Sequence, residues 1–262
     1  MLELIDLTRK LSKDDYRRRL PPLRERLLQL QQACWREGIP TILVFEGWDS
    51  SGKGDVIRKL TERMEPRGFE VSYITDEPRT HELFLPWMWR FWLAIPAHGE
   101  MALFERSWNR RALVDRVEQG ATELGWRRKL RDVADFERTL ADDGYLLIKL
   151  FFHISKKEQK ARYKKWKEDP VEQWKIHEGE WLSPGKYAEY LPAVEELLEA
   201  TDAAWSSWTI LPATDPRYAR ITAFETVVDR LEDALESRGC KLPEPWTIEE
   251  PPAEPESEEE PR

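Results

Sequence analysis

The segment that most constrains the fold of this chain is EGWDSSGKGD, at residues 46–55. A short apolar run, TILVFEG (41–47), leads into it, and DVIRKLTERME (55–65) continues from it with helical spacing as far as Pro66. A Gly-rich turn between a strand and a helix directs several backbone N–H groups and the helix N-terminus at one point, which suits a phosphate group. We therefore predict a phosphate-binding loop within an α/β fold.

This loop offers both backbone and side-chain groups to a phosphate. Lys53 brings a cation to the phosphate, whereas Asp49 would repel the ligand unless a metal ion lay between them, so we expect Asp49 to bind Mg²⁺. Gly54 breaks the usual motif, because the residue after the Lys is normally a Ser or Thr whose hydroxyl ligates Mg²⁺. The expected phosphate-binding residues of the loop are Gly47, Ser50, Ser51, Gly52, Lys53 and Gly54.

The rest of the chain alternates between strand candidates and helix-length segments. This alternation favours a parallel sheet that is covered by helices on both faces. The further strand candidates are FEVSYIT (69–75), EMALFE (100–105), YLLIKLFFHI (145–154) and SWTILPA (207–213), and helices are expected near 12–37, 79–94, 125–141, 155–168 and 216–237. The first helix is expected to break or kink at Pro21-Pro22. We predict a three-layer α/β sandwich with about five parallel strands and a helical lid at about 155–186.

A second charged motif, LFERSW (103–108), lies at the carboxyl end of a strand candidate. That end of a parallel strand shares an edge of the sheet with the phosphate loop, so Glu105 is expected to be a second metal-binding carboxylate. Arg106, Arg110 and Arg111 follow at once and could neutralise phosphate oxygens in the transition state. The alternative is a solvated run of charges at the start of a helix.

Composition and charge restrict the partners of the protein. The segment 243–262 holds eight Glu and one Arg, or −7, so the formal net charge of −9 leaves −2 for residues 1–242. We expect one domain over 1–242 and a disordered acidic Pro/Glu tail after it, because the tail has little to bury. No basic patch indicates nucleic acid, and no apolar run approaches the roughly 20 residues of a membrane span. With Cys34 and Cys240 far apart in the sequence, these features favour a reduced, cytoplasmic protein.

The histidines carry no comparable signal. His81, His98, His153 and His177 have no partner at a diagnostic spacing, so each is expected to be structural. The lysine-rich segment 156–167 is either a solvated helix face or a surface for a long polyanion.

Together these motifs resemble the polyphosphate kinase 2 family, phosphate-loop enzymes that move a phosphoryl group between inorganic polyphosphate and nucleotides. The resemblance covers about residues 12–236 and rests on GWDSSGKG against the family pattern G-x-D-x-x-G-K-G and on LFERSWNRRALVDRV against F-D-R-S-W-Y-x-R. MEPRGF, MWRFW with IPAHGE, HISKKEQ, EDPVEQWKI and DPRYARI occur in the same order. WRFW, the Leu-Val pair of RALVDRV and PRYARI are most similar to the polyphosphate:AMP phosphotransferase branch.

The resemblance implies a P-loop kinase-like fold and a Mg²⁺-dependent kinase, with Mn²⁺ as an alternative metal. Its substrates would be inorganic polyphosphate and a nucleoside mono- or diphosphate, AMP in first place, and the protein would be a homo-oligomer, a dimer or a tetramer. In this family Gly follows the loop Lys, and Asp49 and Glu105 would hold the metal. The other implied site residues are Lys53, Arg106, Arg111 and Asp115 in the catalytic group, and Arg67, Arg110 and Lys175 as phosphate contacts, with Lys175 in the lid.

The sequence departs from the family pattern at three places. Glu105 replaces Asp and is one methylene longer, Asn109 and Arg110 stand where Tyr and often Asn or Gly are expected, and Trp166 stands where a basic residue is common. Three readings therefore stay open beside transfer from polyphosphate to AMP. The acceptor could be a nucleoside diphosphate, the donor could be ATP, or the chain could bind polyphosphate or a partner with impaired turnover.

Overall fold

The structure, a computed structural model, describes residues 1–74, 80–173, 176 and 185–246. Its strands are β1 (Thr41–Gly47), β2 (Phe69–Tyr73), β3 (Met101–Glu105), β4 (Leu146–His153) and β5 (Trp208–Pro212). They form a parallel sheet in the order β2-β3-β1-β4-β5, with β1 in the centre. The predicted parallel α/β sheet of five strands is confirmed.

The helices connect these strands. They are α1 (Lys13–Arg36), α2 (Lys53–Thr61), α3 (Trp89–Trp92), α4 (Trp108–Val117), α5 (Glu123–Asp142), α6 (Lys156–Glu168), α7 (Tyr187–Thr201) and α8 (Pro216–Ser237). Three of the helices have a capped start: the hydroxyl oxygens of Ser12, Thr122 and Ser155 each accept a hydrogen bond from a backbone N–H in the first turn.

Two helix predictions differ from the structure. α1 continues through Pro21 and Pro22, where we expected a break or kink. In place of the helix expected over 79–94, the described residues 80–94 contain a 3₁₀ turn at Thr80–Phe84 and the four-residue α3. In that segment tertiary contacts determine the backbone conformation. The indole N–H of Trp87, for example, donates to Asp132 on α5 at 2.9 Å.

Apolar side chains bury the central strands on both faces. All seven residues of β1 are buried, as are the last seven of β4, which is the pattern of a sheet covered on both sides. The packed body extends past the predicted domain end at 242, because the backbone oxygens of Pro243 and Glu244 accept hydrogen bonds from Arg26 and Gln29 on α1. Among the described helices, none combines the length and the apolar character needed to cross a bilayer.

The register of the sheet determines where a site can form. Since every pairing is parallel, the carboxyl ends of the strands lie at one edge, and there Phe45 of β1 is paired with Glu105 of β3 while Gly47 is paired with Phe152 of β4. The phosphate-loop segment therefore emerges between the ends of β3 and β4.

Candidate active site

The predicted phosphate loop is a tight turn between β1 and α2. Gly47 and Gly52 have φ of 135° and 97°, and Ser50 has φ of 62°, a left-handed conformation that costs a non-glycine residue energy. The side chains of the loop are drawn inward, because Asp49, Ser50, Ser51 and Lys53 are all buried. The structure thus brings the expected loop residues together at the carboxyl edge of the sheet.

Lys53 lies inside the loop. Its Nζ donates to the carbonyl oxygens of Gly47 at 2.8 Å and Trp48 at 2.9 Å. Burial lowers the pKa of this ammonium, and the neighbouring carboxylate of Asp49 acts in the opposite direction. A buried cation held within a phosphate-loop turn is suited to a phosphate oxygen.

Asp49 has one carboxylate oxygen in contact with a cation and one that is unsatisfied. Its Oδ1 lies 3.3 Å from Nη1 of Arg110, which is itself buried. Its Oδ2 is buried and has no hydrogen-bond partner among the described residues. A buried carboxylate oxygen of this kind carries a desolvation cost that a bound metal ion would relieve.

Glu105 explains the glycine that follows Lys53. Glu105 ends β3, and a Cβ atom added at Gly54 would lie 3.5 Å from its Oε1 and 3.8 Å from its Oε2. The carboxylate therefore lies in van der Waals contact with the point at which a Ser or Thr side chain would begin at position 54. The polar side chain beside the first turn of α2 is therefore the Glu105 carboxylate from β3, and not a hydroxyl from α2 itself.

These two carboxylates form a donor set that suits a divalent cation. No group of three or more His, Cys, Asp or Glu side chains at metal-binding distance occurs in the described part of the chain. Mg²⁺ does not require such a cage, because it is usually bound by one or two carboxylates, with waters and substrate phosphates as the other ligands. The unsatisfied oxygen of Asp49 and the carboxylate of Glu105, which lies beside Gly54, fit that pattern.

A buried carboxylate that the sequence analysis missed connects the loop to α4. Oε1 of Glu46 accepts hydrogen bonds from the backbone N–H of Ser107 at 2.9 Å, its hydroxyl at 2.6 Å and the backbone N–H of Arg110 at 3.3 Å. Burial raises the pKa of Glu46, and the hydrogen bonds from Ser107 oppose that shift. This network fixes the start of α4, and with it the arginines, relative to the loop. The available signal was a charged residue within an otherwise apolar strand.

The arginines after β3 point in different directions. Arg106 has φ of 71°, and its guanidinium lies 4.7 Å from the ring centroid of Tyr73 at the end of β2. Nη2 of Arg111 lies 2.9 Å from Oδ1 of Asp115, whose Oδ2 lies 2.6 Å from Nζ of Lys129. Asp115 is therefore paired with two cations, which suits a role in positioning Arg111.

Arg111 also lines a small cavity of about 180 Å³ with aromatic and charged neighbours. Trp87 and Trp89 provide its aromatic walls, and Glu82 and Arg90 form an ion pair at 2.7 Å beside them. A pocket with aromatic walls and a few charged groups is typical of a small-molecule site.

One of the expected phosphate contacts, Arg67, lies away from this arrangement. Arg67 lies in a 3₁₀ turn at the amino end of β2, at the edge of the sheet opposite the loop, where its 80% exposed side chain pairs with Glu65 at 2.6 Å. Phe69 at the start of β2 pairs with Met101 at the start of β3, so Arg67, which precedes β2, lies at the amino edge of the sheet. From there its side chain cannot reach the phosphate loop of the same chain, which lies at the carboxyl edge. This corrects the expectation for Arg67. Lys175 lies outside the described residues.

α6 holds the loop from the outside, which the sequence did not indicate. Nε2 of Gln159 donates to the backbone oxygen of Asp49 at 3.1 Å, and Nη1 of Arg162 donates to that of Ser50 at 2.9 Å. Nη2 of Arg162 also donates to the backbone oxygens of Ala213 at 2.8 Å and Thr214 at 2.9 Å, so one guanidinium connects the loop to the segment after β5. The backbone of the loop is thus restrained on the side of α6.

Trp48 restrains the loop on the side of β4 and α7. Its indole N–H donates to Nδ1 of His153 at 3.0 Å, and its ring stacks on Tyr187 at 3.9 Å between centroids. Burial lowers the pKa of His153 to about 4, so this imidazole is neutral and accepts the hydrogen bond at neutral pH. This contact suits the structural role predicted for His153.

Comparison with known proteins finds a family model and several relatives that match most of the chain. Residues 10–239 match the family model for polyphosphate kinase 2. The polyphosphate:AMP phosphotransferase of Pseudomonas aeruginosa is 33% identical over 234 residues, which cover 89% of this chain and 47% of that protein. The GDP-polyphosphate phosphotransferase of Mycolicibacterium smegmatis is 34% identical over 223 residues, or 85% of this chain and 78% of that protein.

A solved structure supports the same placement. The polyphosphate kinase 2 crystal structure from Arthrobacter aurescens TC1 superimposes with a TM-score of 0.85 at 26% identity, and the match covers 93% of this chain and 88% of that one. The chain spans about half the length of the first AMP-phosphorylating relatives it matches, 47% in two cases.

Proposed function

The chain belongs to the polyphosphate kinase 2 family, and from that premise we propose that it transfers the terminal phosphoryl group of inorganic polyphosphate to a nucleoside monophosphate, in first place AMP. The observation that carries the proposal is the meeting of a phosphate loop with two carboxylates at one edge of the sheet. Asp49 and Lys53 lie within the loop, and Glu105 lies against its helix. Relatives named for polyphosphate transfer to AMP, ADP and GDP support the substrate class.

Asp49 and Glu105 would hold Mg²⁺, with Mn²⁺ as the alternative. When bound, such an ion neutralises charge on the phosphate oxygens. Lys53 would leave the two loop carbonyls that it contacts and donate to the transferring phosphoryl group, while the backbone N–H groups of the loop hold the donor in place. Arg106 and Arg111 would donate to the oxygens on which charge spreads in the loose transition state.

The bond changes need no covalent enzyme intermediate. A phosphate oxygen of the acceptor attacks the terminal phosphorus in line, a new P–O bond forms, and the bond to the bridging oxygen breaks, which leaves a polyphosphate shorter by one unit. The acceptor would lie on the side of Arg111, where the cavity with Trp87 and Trp89 could receive the base. Asp115 would keep Arg111 turned toward that acceptor.

The experiment offers AMP, ADP and GMP separately with polyphosphate and Mg²⁺ or Mn²⁺, and follows products by ³¹P NMR and nucleotide chromatography. AMP should give ADP at the highest rate. Lys53→Ala and Asp49→Asn should each lower the rate about 10²- to 10³-fold, since each removes one preorganised electrostatic contact. Lys59→Ala, on the same helix but paired with Glu62, is the matched control and should keep the normal rate. Near-normal transfer by either loop variant would refute the site.

Three further features belong to the proposal. The segment 155–186 would act as a lid, for which the contacts of α6 with the loop are the support among the described residues. A homo-oligomer of two or four chains is proposed from the family resemblance, and a cytoplasmic location is proposed from the composition and the spacing of the two cysteines. Light scattering after size-exclusion chromatography would measure the oligomer.

A further inference from the structure

Helix α5 supports the cavity at Arg111, although no described residue of α5 lines it. Lys129 and Asp132 lie one turn apart on α5, and both contact Trp87, which forms one wall of the cavity. Nζ of Lys129 lies 4.1 Å from the centroid of the Trp87 ring, and Oδ2 of Asp132 accepts a hydrogen bond from the indole N–H at 2.9 Å. The wall is therefore held by its face and by its edge. Asp132 is exposed, so solvent screens its charge.

Lys129 also reaches the acidic residue that lies beside Arg111. Its Nζ lies 2.6 Å from Oδ2 of Asp115, and only 19% of its side chain is exposed. Nη2 of Arg111 lies 2.9 Å from Oδ1 of Asp115, yet that oxygen accepts no hydrogen bond among the described residues. Lys129 is therefore the closer counter-charge of Asp115, and the contact of Arg111 with this carboxylate is an ion pair without a hydrogen bond.

The charge of Lys129 offsets that of Asp115 beside the cavity. Arg111, Asp115 and Lys129 together carry two positive charges and one negative charge. Glu82 and Arg90, which line the cavity, pair with each other at 2.7 Å and add no net charge. If Lys129 were neutral, the charge of Asp115 would instead offset that of Arg111.

A nucleoside monophosphate matches both the wall and the excess positive charge. Its phosphate carries about 1.5–2 negative charges at neutral pH, and its base offers a flat face to an aromatic ring. The excess charge attracts the phosphate, whereas a neutral combination of Arg111 and Asp115 would attract it little. The attraction of the cavity for such a ligand therefore depends on the charge of Lys129.

We infer that Lys129 is a positioning residue for the acceptor. It offsets the charge of Asp115, so that the positive charge of Arg111 acts on the phosphate of a nucleoside monophosphate whose base lies against Trp87. The inference rests on the proposed function for the identity of the acceptor. It adds a residue that stands outside the cavity lining and takes no part in the bond changes.

Calorimetry with AMP, on the full chain and without polyphosphate, tests the inference apart from turnover. Lys129→Met keeps a side chain of similar length without the charge, and it should weaken AMP binding about 10-fold or more, the size typical of a lost charge-assisted contact. Lys129→Arg keeps the charge and should retain most of the affinity. Arg127→Met removes a positive charge from an exposed position on the same helix, where Arg127 pairs with Glu123, and should leave the affinity unchanged. Circular dichroism checks folding, and Lys129→Gln carries the same prediction if Lys129→Met does not fold.

The double variant Lys129→Met/Asp115→Asn separates charge from packing. It removes one charge of each sign, so the excess positive charge returns, and it should bind AMP more tightly than Lys129→Met alone. A residue that only supported the wall at Trp87 would give no such recovery. The inference would be overturned if Lys129→Met left the AMP affinity unchanged, if the double variant bound AMP no better than the single one, or if the natural chain did not bind AMP.

Steady-state transfer from polyphosphate to AMP separates this inference from the proposed function. Lys129→Met should raise the KM for AMP about 10-fold, and it should change kcat and the KM for polyphosphate less than about 2-fold. Transfer by the natural chain with an unchanged KM for AMP in Lys129→Met would overturn the inference and leave the proposed function standing. The expected order of AMP affinities without any transfer from polyphosphate would do the reverse. A loss confined to kcat, or an equal rise in the KM for polyphosphate, would also overturn the inference.

Discussion

Gly47 offers the sharpest test of how the loop is built. It ends β1 in the centre of the sheet with φ of 135°, and a Cβ atom added there would lie 2.4 Å from the backbone oxygen of Phe152, 2.7 Å from its nitrogen and 2.9 Å from its Cα. All three atoms belong to the backbone of β4, so no side-chain rotation can relieve the contact. Gly47→Ala therefore requires β1 and β4 to separate where the loop begins.

The cost has two parts, which a control can separate. Gly120, just after α4, has φ of 64° with nothing within 4 Å of an added Cβ, so Gly120→Ala measures conformational strain alone, about 1–2 kcal/mol. Gly47→Ala adds forced movement of packed backbone, for which overpacking costs of about 1–3 kcal/mol are typical. We expect Gly47→Ala to lower the free energy of unfolding by about 2–5 kcal/mol, and to lower Tm by about 4–20 °C.

Urea unfolding followed by circular dichroism measures both variants beside the natural chain. Gly120→Ala should lower the urea concentration at the unfolding midpoint slightly, and Gly47→Ala should lower it two to three times as far. The dependence of the unfolding free energy on urea concentration should stay unchanged in both variants. Phosphoryl transfer should also be lost in Gly47→Ala even at temperatures where it is folded, because the loop is displaced. If Gly47→Ala unfolds at the same urea concentration as Gly120→Ala, the close approach of the two strands is refuted.

Further outcomes follow from the same contacts. Burial lowers the pKa of His153 to about 4 from the usual 6.5, so the imidazole is protonated in the unfolded chain before it is protonated in the folded one as the pH falls. The contribution of His153 to the free energy of unfolding should therefore be complete above about pH 6.5. Below that pH the free energy of unfolding should fall by about 1.4 kcal/mol per pH unit toward pH 4. Urea titrations at pH 7.5, 6.0 and 5.0 give the free energy of unfolding at each pH. It should change less with pH in His153→Gln than in the natural chain, and an equal change in both proteins would contradict this. Glu105→Ala should abolish transfer, while Glu105→Asp should retain or raise it. In the natural protein Mn²⁺ should be at least as effective as Mg²⁺. If neither substitution changed the rate, Glu105 would not be the metal ligand. Arg162→Lys should lower kcat about 10-fold and speed hydrogen exchange in the phosphate loop, and unaltered exchange would show that the loop needs no support from α6. A chain that ends at Trp246 should keep its Tm, whereas one that ends at Leu242 should lose a few degrees with its two hydrogen bonds to α1; equal Tm values would show that these bonds contribute nothing.

Much of the sheet could be predicted because its signals are local. The apolar runs of β1, β3 and β4 are short and buried on both faces, and each is followed by a helix-length segment. The segment 79–94 was misjudged as a helix for the opposite reason: its aromatic residues find partners on other elements, so tertiary contacts override the helical pattern.

The site was predictable where residues follow strand ends, and not where a distant element contacts the loop. Asp49 and Glu105 stand directly after or at the end of neighbouring parallel strands, so topology alone brings them to one edge. Gln159 and Arg162 contact loop carbonyls 110 and 112 residues away in sequence, and no spacing rule links such positions. Arg67 was misplaced because it precedes its strand, at the opposite edge.

Gly54 and Glu105 are best understood as one feature. A Cβ at position 54 would lie in van der Waals contact with the carboxylate of Glu105, at 3.5 Å, so a Ser or Thr hydroxyl there would lie within reach of that carboxylate. A hydroxyl there would donate a hydrogen bond to an acidic oxygen, and the oxygen would then be less available to a cation. Glycine keeps the carboxylate free of that bond, and the extra methylene of Glu lets an oxygen from β3 approach the helix. Under the proposed function, the neighbouring strand would deliver the ligand that most phosphate loops supply from their own helix. A single substitution at Gly54 or Glu105 should therefore alter metal preference more than one elsewhere in the loop.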